Sequence, residues 1–408
     1  MTEFHVARQP IFLYNKSVFA YELLYRASGG MENYTGNEGD KASMSVLTGN
    51  FLGAGISALT GGKPAFVNFT ETLLKQGTAM LFPKDQLYVE ILETVKPDED
   101  ILKACMELKK AGYKLVLDDF MADGTCGELE KMADIIKVDF RTTTVAQQVD
   151  VFKRLNYSRF ALFLAEKIET YEEFDIALDM GYTLFQGYFF TKPVTLSVST
   201  LPVGSASLLL LMKEIVSREP DIDRIRTEIE SDVGLAYEIL RLVNSAYYTK
   251  RKKIGSIRQA LAYLGLEGIR KWVMMSALRK QSQNSPGETV NLSIIRSRFM
   301  EQLSGRVSES HMKEEYALTG LFSLLEVLTE CPFDILLSQI AAPDSLFSVL
   351  AQNQYDSKMG QCFLLVQAYE KADFQKAQTI AQQYGLSLDE VAAMYNHSIR
   401  WLYEFPNL

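Results

Sequence analysis

Histidine is scarce in this 408-residue chain. There are three, His5, His311 and His397, too few and too scattered to build a histidine-based metal centre. The four cysteines, Cys105, Cys126, Cys331 and Cys362, form no C-x-x-C pair, so neither a zinc framework nor a disulfide scaffold is expected. No basic-then-apolar leader opens the sequence, and the longest apolar stretch, 208–212, falls far short of the ~20 residues that span a bilayer. No G-x-G-x-x-G or Walker loop follows the first candidate strand, no segment is of low complexity, and no fixed-period repeat occurs. A formal net charge of −9 argues against a general nucleic-acid coat, which would be basic. These absences lead us to expect a cytoplasmic chain with no membrane or nucleic-acid partner.

What is present is ordinary globular composition, 47% hydrophobic and 23% charged, in a chain long enough for two or three domains. The texture changes near residue 200. Residues 1–200 hold 20 basic and 27 acidic residues, and short apolar runs alternate there with helical stretches. Candidate strands are 4–7, 19–24, 65–69, 87–92, 114–117, 135–138, 160–164 and 184–189. Their continuous apolar character suits parallel strands covered on both faces. A helix is expected over 98–111, closed by Gly112. About eight such units predict a small (β/α) TIM-like barrel; an open doubly wound sheet is the alternative, but it would want the missing phosphate loop. Pro, Thr and Ser over 193–204 read as a linker. Beyond it, 206–217, 221–231, 234–244, 257–265 and 268–278 have helical period, as do most residues from 292 to 401. The expected fold class is therefore multidomain, an α/β barrel over 1–200 followed by an all-α domain over 201–408.

Polar residues fall at a consistent place in the first half. Glu22 lies within one strand, Asn68 follows Val67, and Glu90 interrupts an apolar run. Asp118 and Asp119 follow Leu117, Lys137 and Asp139 flank Val138, Glu166 follows Ala165, and Gln186 follows Phe185. Any one of these could cap a strand end. Repeated on successive strands they point to one shared site, because a lone buried acid is costly unless paired or metal-bound. Carboxyl ends of barrel strands are where such sites are built. The oxygen-only set suits Mg²⁺ or Mn²⁺, and two such ions can activate water against a phosphodiester.

These residues carry a family resemblance. Ala7-Arg8-Gln9-Pro10-Ile11, Tyr21-Glu22-Leu23-Leu24-Tyr25-Arg26, Val67-Asn68-Phe69, Glu90-Ile91-Leu92-Glu93, Asp118-Asp119-Phe120, Ile136-Lys137-Val138-Asp139, Ala165-Glu166-Lys167-Ile168-Glu169-Thr170 and Gln186-Gly187-Tyr188-Phe189-Phe190 resemble, in order, the motifs of the EAL domain, the cyclic di-GMP phosphodiesterase module. The resemblance implies metal ligation by Glu22, Asn68, Glu90, Asp118 and Asp119. It implies that Lys137 orients the attacking water, that Glu166 completes the metal shell or acts on that water, and that Glu169 and Gln186 support the site. Arg26 and Gln9 would meet the substrate, the guanidinium suiting a phosphate. The chain departs from the family pattern at Leu23, Leu92 and Lys167 and throughout 121–126, where the family's glycine-containing loop supports metal, substrate and dimer contacts.

Residues 232–246 and 256–265 resemble an HDOD domain, a helical relative of the HD phosphohydrolases. Together the halves are similar to the EAL–HDOD family. No His-Asp dipeptide occurs, so the second half is expected to bind or regulate, through an unknown protein partner, rather than hydrolyse. Two activities stay open for the first: metal-dependent hydrolysis of cyclic di-GMP to linear pGpG, or nucleotide binding and protein contact without turnover. A homodimer is a further implication. Ten basic residues against one acid over 241–280, including the run 250–253, form either a solvated face or a contact for phosphate or the acidic first half. Trp272, Trp401 and Met274-Met275 read as core.

Overall fold

The computed structural model of the chain describes residues 4–27, 56–118, 127–144, 146–149, 162–191, 211, 214–215, 217, 219–231, 233–244, 254, 256–281, 287–329, 332–334, 337 and 343–403. The loop 121–126, the linker 193–204 and the basic run 250–253 lie outside the described residues, as do Asp119 and the side chain of Arg26.

The connection after the first strand decides its direction. β1 (Phe4–Leu13) and β2 (Val18–Ala27) are separated by residues 14–17 alone. A parallel crossover needs a dozen residues or more, so the pair must be a hairpin. Asn15 closes its turn, with Oδ1 accepting from the Ser17 amide at 3.1 Å and the Ser17 hydroxyl at 2.6 Å. The remaining strands are β3 (Ala65–Phe69), β4 (Leu87–Ile91), β5 (Lys114–Leu117), β6 (Ile135–Asp139), β7 (Leu162–Glu166) and β8 (Leu184–Gln186). β2 through β8 pair in parallel in sequence order, and β1 closes the barrel by lying antiparallel against β8 as well. The expected barrel is present, but its first strand is longer than 4–7 and runs opposite to the other seven.

The helices of this part are α1 (Ile56–Thr60), α2 (Glu71–Lys75), α3 (Glu99–Ala111), α4 (Gly127–Met132) and α5 (Tyr171–Met180). α3 shows why its boundaries were readable. The Asp98 side chain accepts from the Ile101 amide, Glu99 and Asp100 stand at the positive end of the dipole, and Gly112 ends the helix. Its Ile101, Cys105 and Leu108 share one buried face. Burying such a set contributes roughly 1.5–3 kcal/mol per large side chain.

The chain divides into two compact units. One is Met1–Lys192 together with Gln367–Asn396; the other is Pro193–Val366 with His397–Leu408. The later helices are α6 (Ile222–Ser231), α7 (Val233–Val243), α8 (Ile257–Gln281), α9 (Gly287–Arg306), α10 (Lys313–Phe322), α11 (Leu325–Thr329), α12 (Asp344–Leu350), α13 (Lys358–Glu370), α14 (Phe374–Gln382) and α15 (Leu388–Tyr403). The end of α13, α14 and the start of α15 thus belong with the barrel, although the sequence places them in the helical half. Tyr369 donates from its hydroxyl to the Val6 carbonyl at 3.4 Å, and Asp389 lies 3.3 Å from His5 Nε2. In the helical unit, α8 leaves helical geometry at Gly265, where two separate helices are expected. Trp272 is fully buried there, whereas Trp401 is half-buried with the Arg298 guanidinium 5.6 Å from its ring. Among the described residues no helix is long and apolar enough to cross a membrane.

Candidate active site

Strand periodicity builds the site. The barrel interior holds a layer of buried apolar side chains, Ile11, Ala20, Phe66, Val116, Ile135, Leu164 and Leu184, with Tyr88 packed against it. Successive residues of a strand face opposite sides, so the inward position of the next layer lies two residues on. On β2 to β8 those positions are Glu22, Asn68, Glu90, Asp118, Lys137, Glu166 and Gln186. On β1, which runs the other way, it is Gln9. The register pairs inward positions with inward positions: Gln9 stands opposite Glu22, Asn68 beside Glu90, and the floor residue Ile11 opposite Gln186. Eight strands therefore each contribute one polar residue directly above an apolar floor.

Lys137 is the centre of this layer and is 1% exposed. Its Nζ lies 2.7 Å from Glu166 Oε1, 2.9 Å from Asp118 Oδ1 and 3.5 Å from Glu22 Oε2, and it also donates to Glu90 Oε1. Gln186 Nε2 donates to Glu22 Oε2, the oxygen that also faces Lys137, at 2.6 Å and to Gln9 Oε1 at 2.9 Å, so Gln9 holds the amide that holds Glu22.

The electrostatics follow from this crowding. Burial alone would lower the Lys137 pKa, but Glu166, Glu22, Glu90 and Asp118 outweigh it and hold the ammonium charged, well above its ordinary value. Burial, then the Glu22 charge, raise Glu90 well above the carboxylate range. Glu166 is pushed up to about 8, first by burial and then by Asp118 and Glu22, against the pull of Lys137. Glu166 therefore holds its proton at neutral pH in the metal-free protein.

The rim above this layer is also tied down. Asp139, two residues beyond Lys137, accepts from the amides of Arg141 at 2.8 Å and Thr142 at 3.1 Å and pairs with Lys167 Nζ at 2.6 Å. Burial opposes ionisation of Asp139, yet these contacts win and hold it below its ordinary value. Lys167 adopts a left-handed φ of 58° where the EAL pattern has glycine, and its ammonium pairs with Asp139. Glu169 is engaged by Arg141 Nη1 at 2.9 Å on the connection from β7 to α5, three residues after Glu166. Arg26 lies on β2 opposite His5. Sequence reasoning did not single out Lys167 or Arg141 as partners. The signal for Lys167 was its position in place of a glycine; Arg141 gave none.

An EAL domain model matches residues 52–193 and an HDOD domain model matches 201–328. The Bacillus subtilis protein YuxH is 35% identical over 405 residues, 97% of each chain. The cyclic di-GMP phosphodiesterase CdgJ of Vibrio cholerae is 30% identical over 407 residues, 99% of this chain and 93% of that one. The chain belongs to the EAL–HDOD family. Among solved structures, the manganese and cyclic di-GMP complex of Klebsiella pneumoniae BlrP1 at pH 6 is 25% identical, with a TM-score of 0.37 over 46% of this chain and 55% of that one. The EAL enzyme Bd1971, bound to cAMP and cyclic di-GMP, is 17% identical with a TM-score of 0.37 over 47% of this chain and 62% of that one. This chain spans less than two thirds of either solved chain.

In this EAL–HDOD protein the acids surround an ammonium. Among the described residues no three His, Cys, Asp or Glu side chains stand grouped as a ready-made metal site. The donor set nonetheless fits a hard divalent cation. It is all oxygen, and Glu90 Oε2 is buried with no hydrogen-bond partner. Glu22, Asn68, Glu90 and Asp118 are the residues that would hold such an ion, competing with Lys137 for the same oxygens.

Proposed function

We propose that the barrel unit hydrolyses one phosphodiester bond of cyclic di-GMP to give linear pGpG, with Mg²⁺ or Mn²⁺ as cofactor, and that the helical unit regulates it. The observation that carries this reading is the single inward layer in which Glu22, Glu90, Asp118 and Glu166 converge on Lys137 Nζ. The full-length likeness to a protein named as a cyclic di-GMP phosphodiesterase supports it. Glu22, Asn68, Glu90, Asp118 and Asp119 would hold the metal, which supplies Lewis acidity and charge neutralisation at the phosphodiester. Lys137 Nζ, a donor only, orients the attacking water by its oxygen. Glu166 would complete the metal shell or, once metal binding has drawn off its proton, act on that water. Gln186 holds Glu22, Arg26 and Gln9 meet the substrate, Arg26 at a phosphate, and Glu169 orders the rim through Arg141. We propose 1–200 and 201–408 as the two sequence modules, with a homodimer and a protein partner of the HDOD module as further expectations.

A second reading, nucleotide binding without turnover, is favoured by the altered loop 121–126 next to Asp118. Incubating pure protein with cyclic di-GMP and Mg²⁺ or Mn²⁺ separates the two. Linear pGpG should form, and Glu22→Ala or Lys137→Ala should slow its formation by about 10²-fold or more. Saturable nucleotide binding with no product in either metal would leave only the binding reading.

A further inference from the structure

Gln186 is held in the site by a turn that makes contacts of its own. Gly187, the next residue, has φ 146°, and a Cβ there would fall 1.9 Å from the Ile168 carbonyl oxygen. The Ile168 amide donates to the Gln186 carbonyl at 3.0 Å, and the Phe189 amide donates to the Ile168 carbonyl at 3.1 Å. The turn after β7, which follows Glu166, and the turn after β8, which follows Gln186, are therefore interlocked backbone against backbone.

Tyr188 extends this lock outward. Its hydroxyl donates to the Glu370 carbonyl at 2.9 Å, and Lys371 Nζ lies 5.5 Å from its ring centre. Glu370 is the last residue of α13, where helix geometry leaves carbonyls without an intrahelical donor. The preceding residue, Tyr369, donates to the Val6 carbonyl of β1. Two adjacent residues at one helix end thus grip β1 and the turn after β8. Those two strands supply Gln9 and Gln186, of which Gln186 bonds Glu22 and Gln9 bonds Gln186, and they meet through three residue pairs.

We infer that Tyr188 is a positioning residue: by bonding to the Glu370 carbonyl it pins the turn after β8 and fixes Gln186 against Glu22. The latch itself is a matter of geometry; its effect on turnover rests on the phosphodiesterase reading above.

Tyr188→Phe in the full chain removes one oxygen and leaves the ring packed. Hydrogen exchange at the Ile168 and Phe189 amides should quicken while the melting temperature stays within about 2 °C, the size of a local change. In cyclic di-GMP hydrolysis with Mn²⁺, kcat should fall on the order of tenfold with KM unchanged, as expected for misplacement within the site. Wild-type exchange rates at both amides, or a raised KM with kcat intact, would overturn the inference. If the wild-type protein shows no turnover, the phosphodiesterase reading alone fails, and the exchange measurement still decides whether the latch exists. Tyr369→Phe tests the β1 side in the same way, and should quicken exchange of the β1 amides.

Discussion

Deleting the Lys137 ammonium would leave Glu22, Glu90, Asp118 and Glu166 facing one another in a buried layer. Breaking a buried ion pair from one side costs about 3–5 kcal/mol. We therefore expect Lys137→Met, melted in EDTA at pH 8, to lose that much stability, and Mn²⁺ to restore a substantial part of it. A variant as stable as wild type in EDTA would mean that the charges are already screened by water. Glu166 gives a second expectation, with a definite sign. Its carboxyl is raised from the ordinary 4.5 to about 8, so between those values the unfolded chain has lost a proton that the folded one keeps. The stability it contributes is fully present below pH 4.5 and is lost as pH climbs through 8. Metal-free wild type should therefore weaken over that window more steeply than Glu166→Gln, which stays neutral throughout. Thermal melts at half-unit pH steps would show it, and parallel curves would refute it. Mn²⁺ should bind more tightly as pH rises, because Glu90, held well above the carboxylate range, must give up its proton to serve as a ligand.

At the level of the strand and its turn, Gly187 is the most constrained position. Alanine there must find space already filled by the Ile168 backbone, at a φ that L-residues rarely adopt. Gly187→Ala should cost at least ~2 kcal/mol, read from urea midpoints at constant m-value; a loss below half that would show that the two turns can part. Strands were legible as short apolar runs, and Glu22, Asn68, Glu90, Asp118, Lys137, Glu166 and Gln186 stood out as polar residues within or directly after them; the two-residue step from apolar floor to polar layer needed the structure. Gln9 was not readable in this way. Arg8, Gln9 and Pro10 interrupt the apolar run of β1, and the strand continues through them because Ile11 to Leu13 pair with β8. The direction of β1 was implicit in the short 14–17 connection, but the pattern of apolar residues alone carries no direction. The Lys167 to Asp139 pair depends on a left-handed residue bringing two turns together, which linear spacing does not encode.

Over the whole molecule, the least legible feature is the return of 367–396 to the barrel unit. An amphipathic helix shows that it has a face to bury, not which core will receive it. Tyr369 and Phe374 meet edge to face within that segment, and Tyr369 is fully buried. A fragment cut at residue 200 would lack both, along with the Asp389 partner of His5. It should melt below the full chain and bind a hydrophobic dye, and restoring 367–396 through a flexible linker should reverse both effects. Equal melting temperatures for the fragment and the full chain would show that the segment adds nothing to the barrel. The bond from Tyr369 to Val6 joins positions 363 residues apart. Ribosomes add about 5–20 residues per second, so the first strand waits roughly 20–70 s for the residue that covers it. During synthesis the earliest hairpin is thus the longest without its final neighbour, and a strand edge in that condition is open to pairing with another nascent chain.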